Sequence, residues 1–110
     1  MISFSYLNQT FPGDTELVDQ IVDIYISEFP MFNVEFKNSV RSKDYETMRE
    51  LVHKWQYTVQ VLGLEEIYQD MIRLQEYSHL SDLEIDEITT RVARGVEENY
   101  IELLAFRAAS

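Results

Sequence analysis

The sequence predicts an all-α domain, an antiparallel four-helix bundle preceded by a short extra helical segment at the N-terminus. Apolar residues recur at three- and four-residue steps along most of the chain, as on the buried face of a helix. The 110 residues include only three glycines and two prolines, so helix breakers are scarce. The joints between the amphipathic stretches are short, which favours antiparallel neighbours. This length supports a single domain over residues 1–110 with one core.

The N-terminal third contains two predicted interruptions. Residues 4–10 predict a short leading helical turn that closes one end of the core, and the Pro-Gly-Asp sequence at 12–14 ends it. Asp14 or Thr15 is expected to cap the next helix. Its apolar stripe leads to Pro30, where we expect that helix to stop and a new helical turn to begin.

Three further joints separate the remaining helices. Residues 42–44 form a tight joint in which Asp44 caps a helix that extends to about Leu62. Gly63 suits the left-handed end of that helix, and the following helix reaches the neighbourhood of His79. The Ser-Asp pair at 81–82 precedes a long last helix, within which Gly95 is best explained by close packing of two helices.

Composition and charge exclude several classes of protein. There is no cysteine, and therefore no disulfide framework and no thiolate metal site or nucleophile. The net charge of −11 disfavours partners with anionic surfaces, both nucleic acid and anionic membranes. The chain has no apolar run of about 18 residues, and its first residues lack the pattern of a signal peptide. We therefore expect a cytoplasmic domain, and the short ends favour a free-standing one.

The basic residues are unevenly distributed along the chain. Residues 37–60 contain five of the nine basic residues and three acidic ones, for a local charge of +2, and the rest of the chain carries −13. Ordinary scatter over solvated helix faces explains this equally well. The alternative is a weakly cationic zone suited to a phosphoryl group or to an acidic partner. The five basic residues are Lys37, Arg41, Lys43, Arg49 and Lys54.

His53 is the strongest candidate for a chemical role. It lies about 100° around the helix axis from Val52, away from the apolar stripe, so its imidazole is predicted to face solvent. Exposure alone is weak support, since most surface histidines have no chemical function. The stripe itself consists of Met48, Leu51, Val52, Trp55, Val59 and Leu62.

The residues around His53 resemble the signature of histidine-containing phosphotransfer (HPt) domains. That signature has a histidine, often a basic residue, an apolar residue, lysine, glycine and serine, and a second glycine ten positions after the histidine. The chain matches it at His53, Lys54, Trp55, Thr58 and Gly63 and departs from it at two positions. Gln56 stands where the family usually has lysine, and Tyr57 stands where it usually has glycine.

The resemblance implies a phosphocarrier in a two-component phosphorelay. A receiver-domain aspartyl phosphate would donate the phosphoryl group to His53, which would pass it to another receiver aspartate. The implied partners are response-regulator receiver domains and a hybrid histidine kinase; the chain itself would be a monomer without a cofactor, because the receiver supplies the Mg²⁺. Under this reading Lys54, Gln56 and Arg49 stabilise the phosphate, and Tyr57, Gln60, Lys37 and Arg41 contact the partner.

Three alternatives stay open. The departures at Gln56 and Tyr57 allow an HPt-like interaction module that binds a receiver or kinase without transfer. A helical bundle of unrelated function is another possibility. Glu50 with His53, and Glu76 with His79, also have the Glu-x-x-His spacing of di-iron bundles. That site would require both histidines to face inward, which the apolar stripe disfavours for His53.

Overall fold

The structure, a computed structural model, describes residues 15–109 as four α-helices. These are α1 (Thr15–Arg41), α2 (Tyr45–Val61), α3 (Glu65–Gln75) and α4 (Asp82–Ala109), with a 3₁₀ turn at Tyr77–His79. No strand occurs within the described range, so the all-α prediction is confirmed. The predicted leading turn at 4–10 lies outside the described residues.

Each helix packs against its neighbours in the chain, and α4 returns to pack against α1. The ion pairs show that this closing contact is antiparallel. Lys43, just after α1, pairs with Asp82 at the start of α4, whereas Arg107 near the end of α4 pairs with Asp23 near the start of α1. The four helices enclose one hydrophobic core within the described residues.

Trp55 of α2 lies at the aromatic centre of the core. Its ring is stacked on Phe32 of α1 at a centroid distance of 4.5 Å and meets Tyr25 edge-on at 4.8 Å. The Tyr25 hydroxyl donates a hydrogen bond of 2.7 Å to the main-chain oxygen of Val96 on α4. Together these contacts fix α2 against two other helices, so the helix that carries His53 has a rigid base.

The expectation that the first helix stops at Pro30 is wrong, because α1 continues through this residue. Proline removes one main-chain donor, which normally disfavours the interior of a helix. Here Phe29 and Phe32 on either side of it are both buried on the core face, and Pro30 itself is exposed. Because the parts of α1 before and after Pro30 bury the same face against the core, a single long helix is favoured over two short ones.

The helix ends follow the predicted residues closely. The Asp44 side chain accepts hydrogen bonds from the main-chain nitrogen and the hydroxyl of Thr47, which confirms it as the cap of α2. Gly63 has φ of 75°, the left-handed value expected after a helix end. The third helix ends at Gln75, earlier than expected, and the 3₁₀ turn completes the path to His79.

At Gly95, α4 lies close to α3. A Cβ at this position would lie 2.7 Å from Cδ1 and 2.9 Å from Cγ1 of Ile67. These separations are shorter than van der Waals contact, so the prediction of close helix packing is confirmed. Among the described helices, none is both long enough and apolar enough to cross a membrane.

Candidate functional site

His53 lies on the outer surface of α2, above a well-packed core. Val52 on one side is fully buried and Trp55 is 7% exposed, while the His53 side chain itself is exposed. The predicted orientation of the helix is confirmed. The apolar stripe turns these side chains inward, and the imidazole, off the stripe, is directed to the surface.

One hydrogen bond to a neighbouring helix orients the imidazole. His53 Nδ1 lies 3.0 Å from the side-chain oxygen Oε1 of Gln75, the last residue of α3. An amide oxygen can only accept a hydrogen bond, so Nδ1 is the protonated nitrogen and donates to it. In the neutral ring, Nε2 then carries the lone pair.

The amide group of Gln75 is held by two further contacts. Its Nε2 donates to the side-chain oxygen of Gln56 at 2.5 Å and to the main-chain oxygen of Met71 at 3.4 Å. The Met71 carbonyl can accept but not donate, so it requires the NH₂ side of the Gln75 amide to face it. The Oε1 side consequently faces His53. We call His53, Gln75 and Gln56 together the imidazole network.

Sequence reasoning missed Gln75, which lies 22 residues from His53 on another helix. Its polar side chain follows directly after the buried Leu74 and gives no motif of its own. A signal did exist in the α2–α3 hairpin. His53 lies ten residues before Gly63 and Gln75 twelve after it, so an antiparallel hairpin turning at Gly63 brings the two to the same level.

Arg49 lies one helical turn before His53 on the same side of α2. Its guanidinium is already engaged by both carboxylate oxygens of Glu46, with 3.4 Å between Arg49 Nε and Glu46 Oε2. Glu46 also accepts a hydrogen bond of 3.0 Å from the Tyr77 hydroxyl. These bonds, that of Arg49 above all, lower the pKa of Glu46 and keep its carboxylate charged.

The other predicted site residues divide between two surfaces. Tyr57, 67% exposed, and Gln60, also exposed, follow His53 by one and two turns on the same side of α2. Lys54 is exposed on an adjoining face of that helix. Lys37 and Arg41 instead line a groove of about 350 Å³ between α1 and α4. The structure thus places these two cations away from the contact between α2 and α3 that holds His53.

The Glu-x-x-His alternative finds no geometric basis in the described residues. His53 and His79 are both exposed, whereas a di-iron site requires histidines that face into the bundle. Residues 15–109 contain no group of three or more histidine, aspartate and glutamate side chains arranged to hold a metal ion.

Comparison of the chain with family models, with curated proteins and with solved structures yields no match.

Proposed function

We propose that this chain is a histidine phosphocarrier in a two-component phosphorelay, with the HPt-like architecture that the His53 motif implies. The observation that carries the proposal is the state of His53. Its ring is exposed, its Nδ1–H is bonded to Gln75, and its Nε2 is the nitrogen with the lone pair. An exposed ring with the lone pair held on one nitrogen is what a nucleophilic imidazole requires.

The proposed transfer begins on a receiver domain that carries an aspartyl phosphate. His53 Nε2 attacks the phosphorus in line with the aspartyl oxygen, so that an N–P bond forms as the P–O bond breaks. The aspartate leaves as a carboxylate and stays on the receiver, which also supplies the Mg²⁺. Positive charge develops on the ring, and the Nδ1–H bond to Gln75 Oε1 stabilises it. Attack by a second receiver aspartate on the phosphohistidine reverses these steps.

Three side chains are proposed to stabilise the phosphoryl group. Lys54 supplies a charge close to His53 along the helix, and Arg49 can do so by exchanging Glu46 for the phosphoryl oxygens. Gln56 has its oxygen engaged by Gln75, so its contribution to the phosphate is through its Nε2 donor. Receiver domains and a hybrid histidine kinase are the proposed partners, and the cytoplasm is the proposed compartment.

A panel of phosphorylated receiver domains tests the proposal directly. The full chain is incubated with each receiver and Mg²⁺, and the phosphate that it acquires is tested for lability in acid and stability in base. We expect the native chain and His79→Gln to be labelled and His53→Gln to remain unlabelled. His79 is a matched control, because it is the only other histidine and is also exposed. Labelling of His53→Gln would place the phosphate elsewhere.

The second candidate is an interaction module that binds receivers without transfer, and the exposed ring of Tyr57 favours it. The ring stands one turn beyond His53, where the HPt pattern has glycine and where a receiver would approach. For the phosphocarrier, we propose that the same ring does not block transfer but selects which receivers can exchange phosphate with His53. Its removal in Tyr57→Gly should widen the set of receivers that exchange phosphate, at a cost of about 1 kcal/mol in helix stability.

Transfer rates across one receiver panel separate these candidates. Tyr57→Ala removes the ring without the helix penalty of glycine and should show the same widened range. An unchanged partner range in both variants, with an active native chain, would refute the selecting role. Transfer only by Tyr57→Gly combined with Gln56→Lys would identify the native chain as a binding module.

A further inference from the structure

The geometry points to Gln56 as a positioning residue, one that holds the Gln75 amide so that His53 keeps its proton on Nδ1 and its lone pair on Nε2. This inference deepens the proposed function and rests on it for its meaning. The resemblance would give position 56 a role toward the phosphate. The structure gives the Gln56 oxygen a different one, as the nearest acceptor for the NH₂ group of Gln75.

The orientation of the Gln75 amide decides which nitrogen of His53 is protonated. If the amide turned over, its NH₂ group would face Nδ1, which would then have to accept and carry the lone pair. The proton would move to Nε2, and that nitrogen would lose the lone pair that makes it nucleophilic. The Met71 main-chain oxygen at 3.4 Å opposes this rotation because it can only accept, and the Gln56 oxygen at 2.5 Å opposes it while it faces Gln75. The shorter of the two bonds is the one that Gln75 Nε2 donates to Gln56.

A lysine substituted at position 56 distinguishes a role in positioning the Gln75 amide from a role in supplying charge to the phosphate. An ammonium group only donates hydrogen bonds, so it cannot accept from Gln75 Nε2 and would bind Gln75 Oε1 instead. In the structure Gln75 turns its Nε2 toward residue 56 and its Oε1 toward His53. Binding of Oε1 by a lysine at position 56 would therefore turn the amide over and take Oε1 away from His53 Nδ1. Gln56→Lys would therefore weaken the Nδ1–H tautomer, although the motif alone suggests that lysine would improve the site.

The tautomer can be measured without phosphorylation, by long-range ¹H–¹⁵N correlation spectra of the imidazoles at a pH where both rings are neutral. The chain has two histidines, so His79 is an internal reference in every sample. Gln56→Glu keeps an acceptor and removes the donor, Gln56→Lys does the reverse, and Gln56→Ala removes both. Gln60→Lys introduces the same positive charge one turn along α2, at an exposed position outside the imidazole network.

We expect Nδ1–H to dominate at His53 in the native chain, in Gln56→Glu and in Gln60→Lys. In Gln56→Lys the ratio of Nδ1–H to Nε2–H should fall about fivefold, the factor that one ordinary side-chain hydrogen bond supplies. In Gln56→Ala this ratio should also fall, but by less than in Gln56→Lys. If the lysine variant does not fold, the alanine variant alone tests the inference. His79 should not change. A native ring protonated on Nε2, or a lysine variant that retains Nδ1–H, would overturn the inference.

Transfer assays on the same variants keep this inference separate from the proposed function. If no receiver phosphorylates the native chain, the phosphocarrier proposal fails, whereas the tautomer spectra still decide the role of Gln56. If transfer occurs and Gln56→Lys transfers faster without loss of Nδ1–H, position 56 acts through charge and the positioning role is refuted.

Discussion

Replacement of Tyr25 by phenylalanine removes a single hydroxyl from the core beneath the His53 helix. Tyr25 is fully buried, and its hydroxyl donates 2.7 Å to the Val96 carbonyl oxygen across the α1–α4 interface. Phenylalanine preserves the ring and its contact with Trp55, so the loss is confined to this hydrogen bond. At neutral pH we expect Tyr25→Phe to lower the free energy of unfolding by about 1 kcal/mol.

The sign of this difference should reverse in alkaline solution. Burial, and secondarily the charge of Glu102, raise the pKa of Tyr25 far above its ordinary value. Below about pH 10 the phenol is protonated in both the folded and the unfolded chain, and the hydrogen bond contributes fully. Above that pH only the unfolded chain releases the proton, which favours unfolding by about 1.4 kcal/mol for each further pH unit. The contribution of about 1 kcal/mol is then cancelled between about pH 10 and 11, beyond which the phenylalanine variant is the more stable.

Denaturant unfolding at several pH values, followed by far-ultraviolet circular dichroism, measures both parts of this prediction. The quantity to compare is the difference in the free energy of unfolding between variant and native chain, because every other ionisable group is the same in both proteins. Tyr57→Phe is the control, because it removes a phenol hydroxyl from an exposed position outside the core. A constant difference for Tyr25→Phe would mean that the Tyr25 hydroxyl ionises in the folded chain, and the argument from burial would be wrong.

Two stability predictions concern the helix joints and the close approach of helices. Gly95→Ala should destabilise the fold by about 1 kcal/mol, because overpacking against Ile67 outweighs the better helix propensity of alanine. In chemical denaturation, addition of Ile67→Val to this variant should recover part of the loss. Asp44→Ala removes the cap of α2 and should lower the free energy of unfolding by about 1 kcal/mol. Asp44→Asn retains a capping oxygen and should lose less. Equal losses in both variants would show that the cap contributes little.

The all-α fold could be read from the sequence because its determinants are local and periodic. The stripe on α2 fixed which residues face the core, and Asp44 and Gly63 have side-chain or backbone properties that belong to helix ends. The error at Pro30 has a different origin. The local penalty for proline is visible in the sequence, whereas the burial of Phe29 and Phe32 on one continuous face depends on where α2 and α4 lie.

The site was predictable only in part, for a related reason. Exposure of His53 follows from its position on one helix, so the periodicity of that helix was sufficient. The tautomer of its ring depends on Gln75, a residue on another helix with no distinguishing motif. The separation of Lys37 and Arg41 from His53 likewise depends on which helices pair, since charge counted along the chain does not specify a face.

The two departures from the HPt pattern acquire different meanings once their neighbours are known. Tyr57 is 67% exposed and lies outside the hydrophobic core, so any significance it has is to be sought at the surface. Gln56 is half-buried and accepts from Gln75, so part of its significance lies inside the protein. A motif treats the lysine-to-glutamine change as the loss of one charge. In this fold the glutamine also supplies an acceptor for the Gln75 amide. A lysine at that position would add a charge, but it could not accept from Gln75 and so would weaken the contact that orients the His53 imidazole.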